Sequence, residues 1–129
     1  MIKPQQFEIP VDIYRRNILV VINESDEEVT RTLVESDCGY TDLVIKEAAE
    51  YNWEGVGAYT FVFDNRNCMI RFKPKEINPE FHDQVVHEIF HCAAAILDYM
   101  GIKLGSKSEE AYAYLIGYIT REFYTNLEL

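Results

Sequence analysis

Two histidines, His87 and His91, stand four residues apart in the segment VHEIFH, with Glu88 directly after the first of them. On a helix, positions i and i+4 lie on one face about one turn apart, so both imidazoles can bind the same metal ion. Glu88 is offset around that helix and cannot easily be a third ligand, but it can take a proton from a metal-bound water. The H-E-x-x-H spacing is typical of zinc hydrolases. The motif therefore predicts a Zn²⁺ site bound by His87 and His91, with Glu88 as the catalytic base.

A catalytic zinc usually has three protein ligands and keeps a fourth position for water, so a further ligand must come from elsewhere in the chain. The metzincin extension of the motif would need a glycine at position 94 and a histidine at position 97. The chain has Ala94 and Leu97 at these positions, which excludes that class of zinc site.

Two glutamates, Glu109 and Glu110, stand near the start of a helix that we predict for about residues 106–126. Ser106 and Glu109 have the Ser-x-x-Glu spacing of a capping box, which assigns Glu109 to the helix N-terminus. Glu110, one position further round the helix, is then free to point at the metal and is the expected third ligand. Two alternatives stay open: Glu109 is the ligand, or both glutamates only favour the helix N-terminus through its dipole.

The motif and the glutamate helix together resemble a known group of enzymes. His87-Glu88-Ile89-Phe90-His91 followed by Glu110-Ala111 resembles the gluzincin pattern, and the run EEAYAY at 109–114 is similar to the E-A-x-x-F-A stretch of ImmA/IrrE-type metallopeptidases. The pairing of HExxH with SEEAYAYLIGY also resembles small proteins encoded by tailed phages and prophages. The resemblance covers about residues 68–125.

This resemblance implies a minimal zincin, in which a small sheet packs on an active-site helix and a following glutamate helix. It implies that Glu110 is the third ligand and that Glu88 is the base. It also implies that the strand before the active-site helix, or the hairpin partner of that strand, forms the edge where an extended peptide substrate binds by strand addition.

The elements expected around these residues are those of a single α+β domain spanning 1–129, with a small, mostly antiparallel sheet. Asn17–Ile22 is a near-continuous aliphatic run, typical of a central strand buried on both faces. The turn formers at 64–67 predict a hairpin of the strands 59–63 and 68–72. Helices are expected at about 25–38, 41–51, 79–100 and 106–126, from their capping residues and apolar periodicity.

The composition limits the classes of binding partner and the cellular compartment that we expect for this protein. The chain has 129 residues, 48% of them hydrophobic, and a formal net charge of −10. Because this charge repels phosphate backbones, we expect no nucleic-acid partner. The sequence has no signal-peptide h-region and no apolar run of membrane-spanning length, so we expect no membrane association and a cytoplasmic location. Three cysteines without paired spacing are expected to be small buried hydrophobes.

The leading interpretation is a zinc-dependent metallohydrolase, most simply a peptidase acting on a peptide or protein through metal-activated water and Glu88. The alternative is a non-catalytic, zincin-like binding or assembly protein. Two features favour that alternative. The chain is short, so few residues remain to form the walls of a substrate cleft, and no residue is an evident oxyanion donor. Tyr59, Tyr112 and Tyr114 are possible donors, although core packing is the default for any one of them. The oligomeric state is left open.

Overall fold

A four-stranded sheet separates two helical layers in the computed structural model, which describes residues 2–129. The strands are β1 (Gln5–Val11), β2 (Arg16–Ile22), β3 (Ala58–Val62) and β4 (Cys68–Phe72). The helices are α1 (Asp26–Glu35), α2 (Asp42–Ala49), α3 (Pro79–Tyr99) and α4 (Glu109–Asn126), and a short 3₁₀ turn (Asp12–Tyr14) joins β1 to β2. The predicted α+β class is confirmed.

The sheet is mixed, with the strand order β1-β2-β4-β3. β1 pairs with β2 and β3 pairs with β4 in antiparallel fashion, whereas the central strands β2 and β4 are parallel. The connection between the two central strands contains α1, α2 and β3. β1 was not predicted from the sequence, because polar residues and Pro10 interrupt its pattern. An edge strand tolerates a proline, since one side of its backbone makes no ladder hydrogen bonds.

The side chains of β2 alternate between two cores, as expected for a strand buried on both faces. Ile18, Val20 and Ile22 pack with α3 and α4. Val21 and the half-buried Leu19 pack with α1 and α2. The sheet therefore holds α3, which carries the HExxH motif, on one face and the α1/α2 layer on the other.

Three predicted helix starts are confirmed by side-chain caps. Ser25 accepts a hydrogen bond from the backbone of Glu28, and Thr41 caps α2 in the same way. Asn78 Oδ1 accepts from the backbone N–H of Phe81 at 2.8 Å, with proline in the first helical position. These caps satisfy donors that the first helical turn leaves free.

The capping box predicted for the last helix is wrong. α4 begins at Glu109 with Ser108, not Ser106, at the N-cap position. The Ser108 hydroxyl makes no cap bond and instead donates to the carbonyl of Lys103 at 2.5 Å. Ser106 belongs to the turn before the helix, so Glu109 has no reciprocal capping role with it.

The three cysteines do not share one environment. Cys68 and Cys92 are buried, as expected, but Cys38 is exposed. Burial, together with the neighbouring Cys68 thiol, raises the pKa of Cys92 well above its ordinary value, so this thiol stays protonated. Within residues 2–129, no helix combines the length and the apolar character needed to cross a membrane.

Candidate metal centre

The two histidines of the motif lie next to each other on the solvent-facing side of α3. Their Nε2 atoms are 3.1 Å apart, and both side chains are exposed. Two nitrogens bound to one tetrahedral zinc at 2.0–2.1 Å would be separated by about 3.3 Å. An N–H···N hydrogen bond between neutral imidazoles also gives this separation. The histidine pair therefore has a spacing that fits a shared metal ion.

Glu88 occupies a different environment from the histidines, because its side chain is only 5% exposed. Its Oε1 accepts a hydrogen bond of 3.0 Å from the hydroxyl of Thr60, on β3. One nitrogen of each histidine and one oxygen of Glu88 all lie within 4.8 Å of one another. The carboxylate is thus held beside the histidine pair by a residue of the neighbouring strand.

Thr60 was missed by the sequence analysis. Its signal is a polar residue in the apolar strand AYTFV, on the side of that strand that faces α3. A half-buried polar side chain between a strand and a helix needs a hydrogen-bonding partner, and the buried polar residue of α3 is Glu88. This reasoning requires the pairing of β3 with α3, which the sequence does not supply.

Replacing Thr60 by valine is expected to lower the free energy of unfolding by about 1–3 kcal/mol, because the buried Glu88 carboxylate loses its donor while side-chain volume is conserved. Thr60→Ser, which keeps the hydroxyl, is the matched control and should lose less. Urea unfolding of the three proteins measures the difference. A valine variant as stable as the wild type would show that this hydrogen bond does not hold Glu88 in place.

Neither glutamate proposed from the start of α4 joins this group. Glu109 and Glu110 are both exposed in the first turn of α4, and the set of ligand atoms within 4.8 Å consists of His87, Glu88 and His91. The capping box was one of two reasons to prefer Glu110 over Glu109. Since that box does not form, only the resemblance of EEAYAY to the E-A-x-x-F-A stretch still favours Glu110.

Two of the three tyrosines considered as oxyanion donors are engaged elsewhere. The Tyr59 hydroxyl donates to the carbonyl of Ala48 at 2.7 Å, on the opposite face of the sheet. The Tyr112 hydroxyl donates to the carbonyl of Ile102 at 2.9 Å. Tyr114 is 76% exposed. The remaining histidine, His82, has its Nδ1 2.5 Å from the hydroxyl of Tyr124 on α4.

β3 forms an open edge of the sheet beside Glu88. The backbone bonds from Lys73 to Gly57 and from Phe63 to Asn67 set the hydrogen-bonded pairs of the β3–β4 ladder. In an antiparallel ladder these pairs alternate with pairs whose N–H and C=O groups point outward. Ala58, Thr60 and Val62 therefore turn their backbone groups to the free edge, and within residues 2–129 no other strand pairs there.

The arrangement combines two exposed imidazoles, a buried carboxylate and a strand edge with free hydrogen-bonding groups. Two imidazoles can hold a divalent first-row metal from the α3 side, while the solvent side stays accessible. A carboxylate at this distance can exchange a proton with a group bound between it and the histidines. Comparisons of the chain with protein-family models, with curated proteins and with solved structures found no match.

Proposed function

We propose that the protein is a zinc-dependent peptidase with a zincin-like site on α3. The proposal is carried by the convergence of His87, Glu88 and His91 within 4.8 Å, directly beside the open edge of β3. Two imidazoles with a nearby carboxylate form a donor set that suits Zn²⁺. The exposed side of the pair leaves room for a substrate carbonyl, which a closed structural zinc site would not.

Each residue has a distinct part in this proposal. His87 and His91 would hold the zinc, and Glu110, which lies outside the cluster of ligand atoms within 4.8 Å, would have to move to the metal as the third ligand. Bound zinc would supply a Lewis acid that acidifies water and polarises a carbonyl. Glu88 accepts a proton from the attacking water and passes it to the amine that leaves when the peptide bond breaks. Thr60 keeps the Glu88 carboxylate oriented through the 3.0 Å hydrogen bond. The outward backbone groups of β3 bind the peptide in an extended conformation.

A second candidate function is a zincin-like binding or assembly protein without catalysis. The observation that favours it is the absence of Glu109 and Glu110 from the set of ligand atoms that the described residues bring together. With two histidines only, the metal would be bound more weakly, and the open edge of β3 would serve as the binding surface. Metal content tests the metal site, and peptide hydrolysis by the zinc-loaded protein separates the two candidates.

Wild-type protein free of any tag is expected to contain close to one zinc ion per chain by elemental analysis. His87→Ala should lose it, because a single imidazole of the pair remains. Glu110→Ala should weaken zinc affinity by an order of magnitude or more if it completes the ligand set. His82→Ala, which removes a histidine outside the site, is the control and should keep the metal.

The variant Glu109→Ala shows which of the two adjacent glutamates at the start of α4 is the third zinc ligand. Loss of zinc in Glu109→Ala and retention of zinc in Glu110→Ala would mean that Glu109 is the third ligand. The proposed reaction would be unchanged. A wild-type protein that holds no zinc after loading and desalting would overturn the peptidase proposal and support the non-catalytic candidate.

A further inference from the structure

A groove of about 460 Å³ lies on the other face of β3, between this strand and α2. It is lined by the apolar or aromatic side chains of Tyr40, Val44 and Phe61 and by two carboxylates, Glu47 and Asp64. No lysine, arginine or histidine is among its lining residues, all of which lie in the described part of the chain. The groove therefore joins an apolar wall to negative charge.

The groove borders the same strand edge as the candidate metal centre. Along β3, Thr60 faces α3 and Glu88, whereas Tyr59 and Phe61 face the α1/α2 layer. A peptide added to this edge would lie roughly 4.8 Å from β3, with its own side chains alternating between the two faces. The peptide residue beside Thr60 would then point towards the histidines, and its immediate neighbour in sequence would point towards the groove.

The chemistry of the groove favours a long basic side chain. The methylene stem of lysine or arginine can lie along Val44 and Phe61, while its charged end reaches Glu47 or Asp64. The half-buried Tyr40 ring stacks on the buried Phe63 ring, with centroids 4.0 Å apart, and adds an aromatic side chain to the groove that a cation can approach. An acidic side chain would meet two like charges in the same place.

We propose that this groove is a specificity subsite for lysine or arginine, adjacent in sequence to the peptide residue that faces Glu88. The inference rests on the proposed function, because it assigns the groove to the same extended peptide. It names the substrate class as extended segments with a basic residue next to the residue at the metal centre.

The test uses Glu88→Gln protein, so that the peptide is not consumed, and three fluorescent eight-residue peptides in which threonine alternates with arginine, norleucine or glutamate. The arginine peptide is expected to bind at least tenfold more tightly than the norleucine peptide, and the glutamate peptide least tightly. Adding Glu47→Gln and Asp64→Asn should remove most of the arginine preference and leave norleucine binding within about twofold. Fluorescence anisotropy measures all three affinities.

The control adds Glu50→Gln and Glu54→Gln, which remove the same number of charges from exposed positions outside the groove lining. An equal loss in this control would show that the overall negative charge attracts the peptide, and would overturn the subsite. Equal affinities for the three peptides, or no binding of any, would also overturn it.

Each titration is repeated with zinc-loaded and with chelator-treated protein, and wild-type hydrolysis of the arginine peptide is followed by mass spectrometry. Zinc binding and hydrolysis by a protein that does not prefer the arginine peptide would overturn the subsite proposal and leave the peptidase proposal standing. An arginine preference that depends on Glu47 and Asp64, in a protein that neither holds zinc nor cleaves the peptide, would overturn the peptidase and leave a peptide-binding groove.

Discussion

Replacing Glu88 by glutamine is expected to lower peptide hydrolysis by roughly 10²–10⁴-fold while zinc stays bound. Glutamine has nearly the same shape and can still accept the hydrogen bond from Thr60 through its amide oxygen, so the fold and the histidine pair should be unchanged. It cannot take a proton from water at neutral pH. The loss should therefore appear in kcat and not in metal content.

The measurement combines kcat/KM on a cleaved peptide with zinc content and thermal melting of the same samples. Glu80→Gln, an exposed substitution of the same type on α3, is the control and should keep full activity. Hydrolysis retained in purified Glu88→Gln protein would refute the role of Glu88 as the catalytic base. Loss of zinc from this variant would instead assign Glu88 to the metal-ligand set.

Replacing Arg71 by methionine is expected to lower the free energy of unfolding by about 2–4 kcal/mol, because two backbone carbonyls lose a charged donor. The Arg71 side chain is 1% exposed and pairs with Asp26 at 3.0 Å. Its guanidinium also donates to the carbonyls of Ala49 at 2.8 Å and Glu24 at 3.1 Å. Methionine fills a similar volume but leaves the buried carbonyl of Ala49 and the half-buried carbonyl of Glu24 without this donor.

This loss would be a large part of the total stability of a small domain, which is typically about 5–15 kcal/mol. Arg71 connects β4 to the start of α1 and to the end of α2, and its charge lies 5.1 Å from the centre of the Trp53 ring. These contacts are on the face of the sheet opposite to α3. Zinc binding by the folded fraction should therefore be unchanged.

Urea unfolding of Arg71→Met is compared with that of Arg121→Met, which removes an exposed arginine from α4 and should change stability by no more than about 0.5 kcal/mol. A small loss in Arg71→Met would mean that the unpaired carbonyls find water or other donors, and that this cation does not hold the α1/α2 layer on the sheet.

Local patterns of the chain predicted most of the elements correctly. The caps at Ser25, Thr41 and Asn78 act within one helical turn, so their residue types are sufficient to locate the helix starts. The HExxH spacing likewise depends only on the helical period, which brings His87 and His91 together once α3 forms. The central position of β2 followed from an apolar run that can be buried on both faces.

Local patterns gave the wrong start for α4, because two nearby serines could each precede the helix. Ser106 and Ser108 are each suited to precede a helix, and the turn that contains Gly105 selects Ser108. The capping argument for Glu110 over Glu109 was built on the wrong choice, so the resemblance to the E-A-x-x-F-A stretch is its remaining support. β1 was missed because an edge strand needs less hydrophobic patterning than a central one.

The sequence by itself determined the helical HExxH motif, the central strand and the capped helix starts, because each depends on residues close together in the chain. Only the tertiary structure decided that Thr60 donates to Glu88, that β3 is the free edge and that a groove with Glu47 and Asp64 lies on its other side. These features join residues 17 to 28 positions apart. They depend on which strand takes the edge of the sheet and which helix covers each face, and no local pattern encodes that choice.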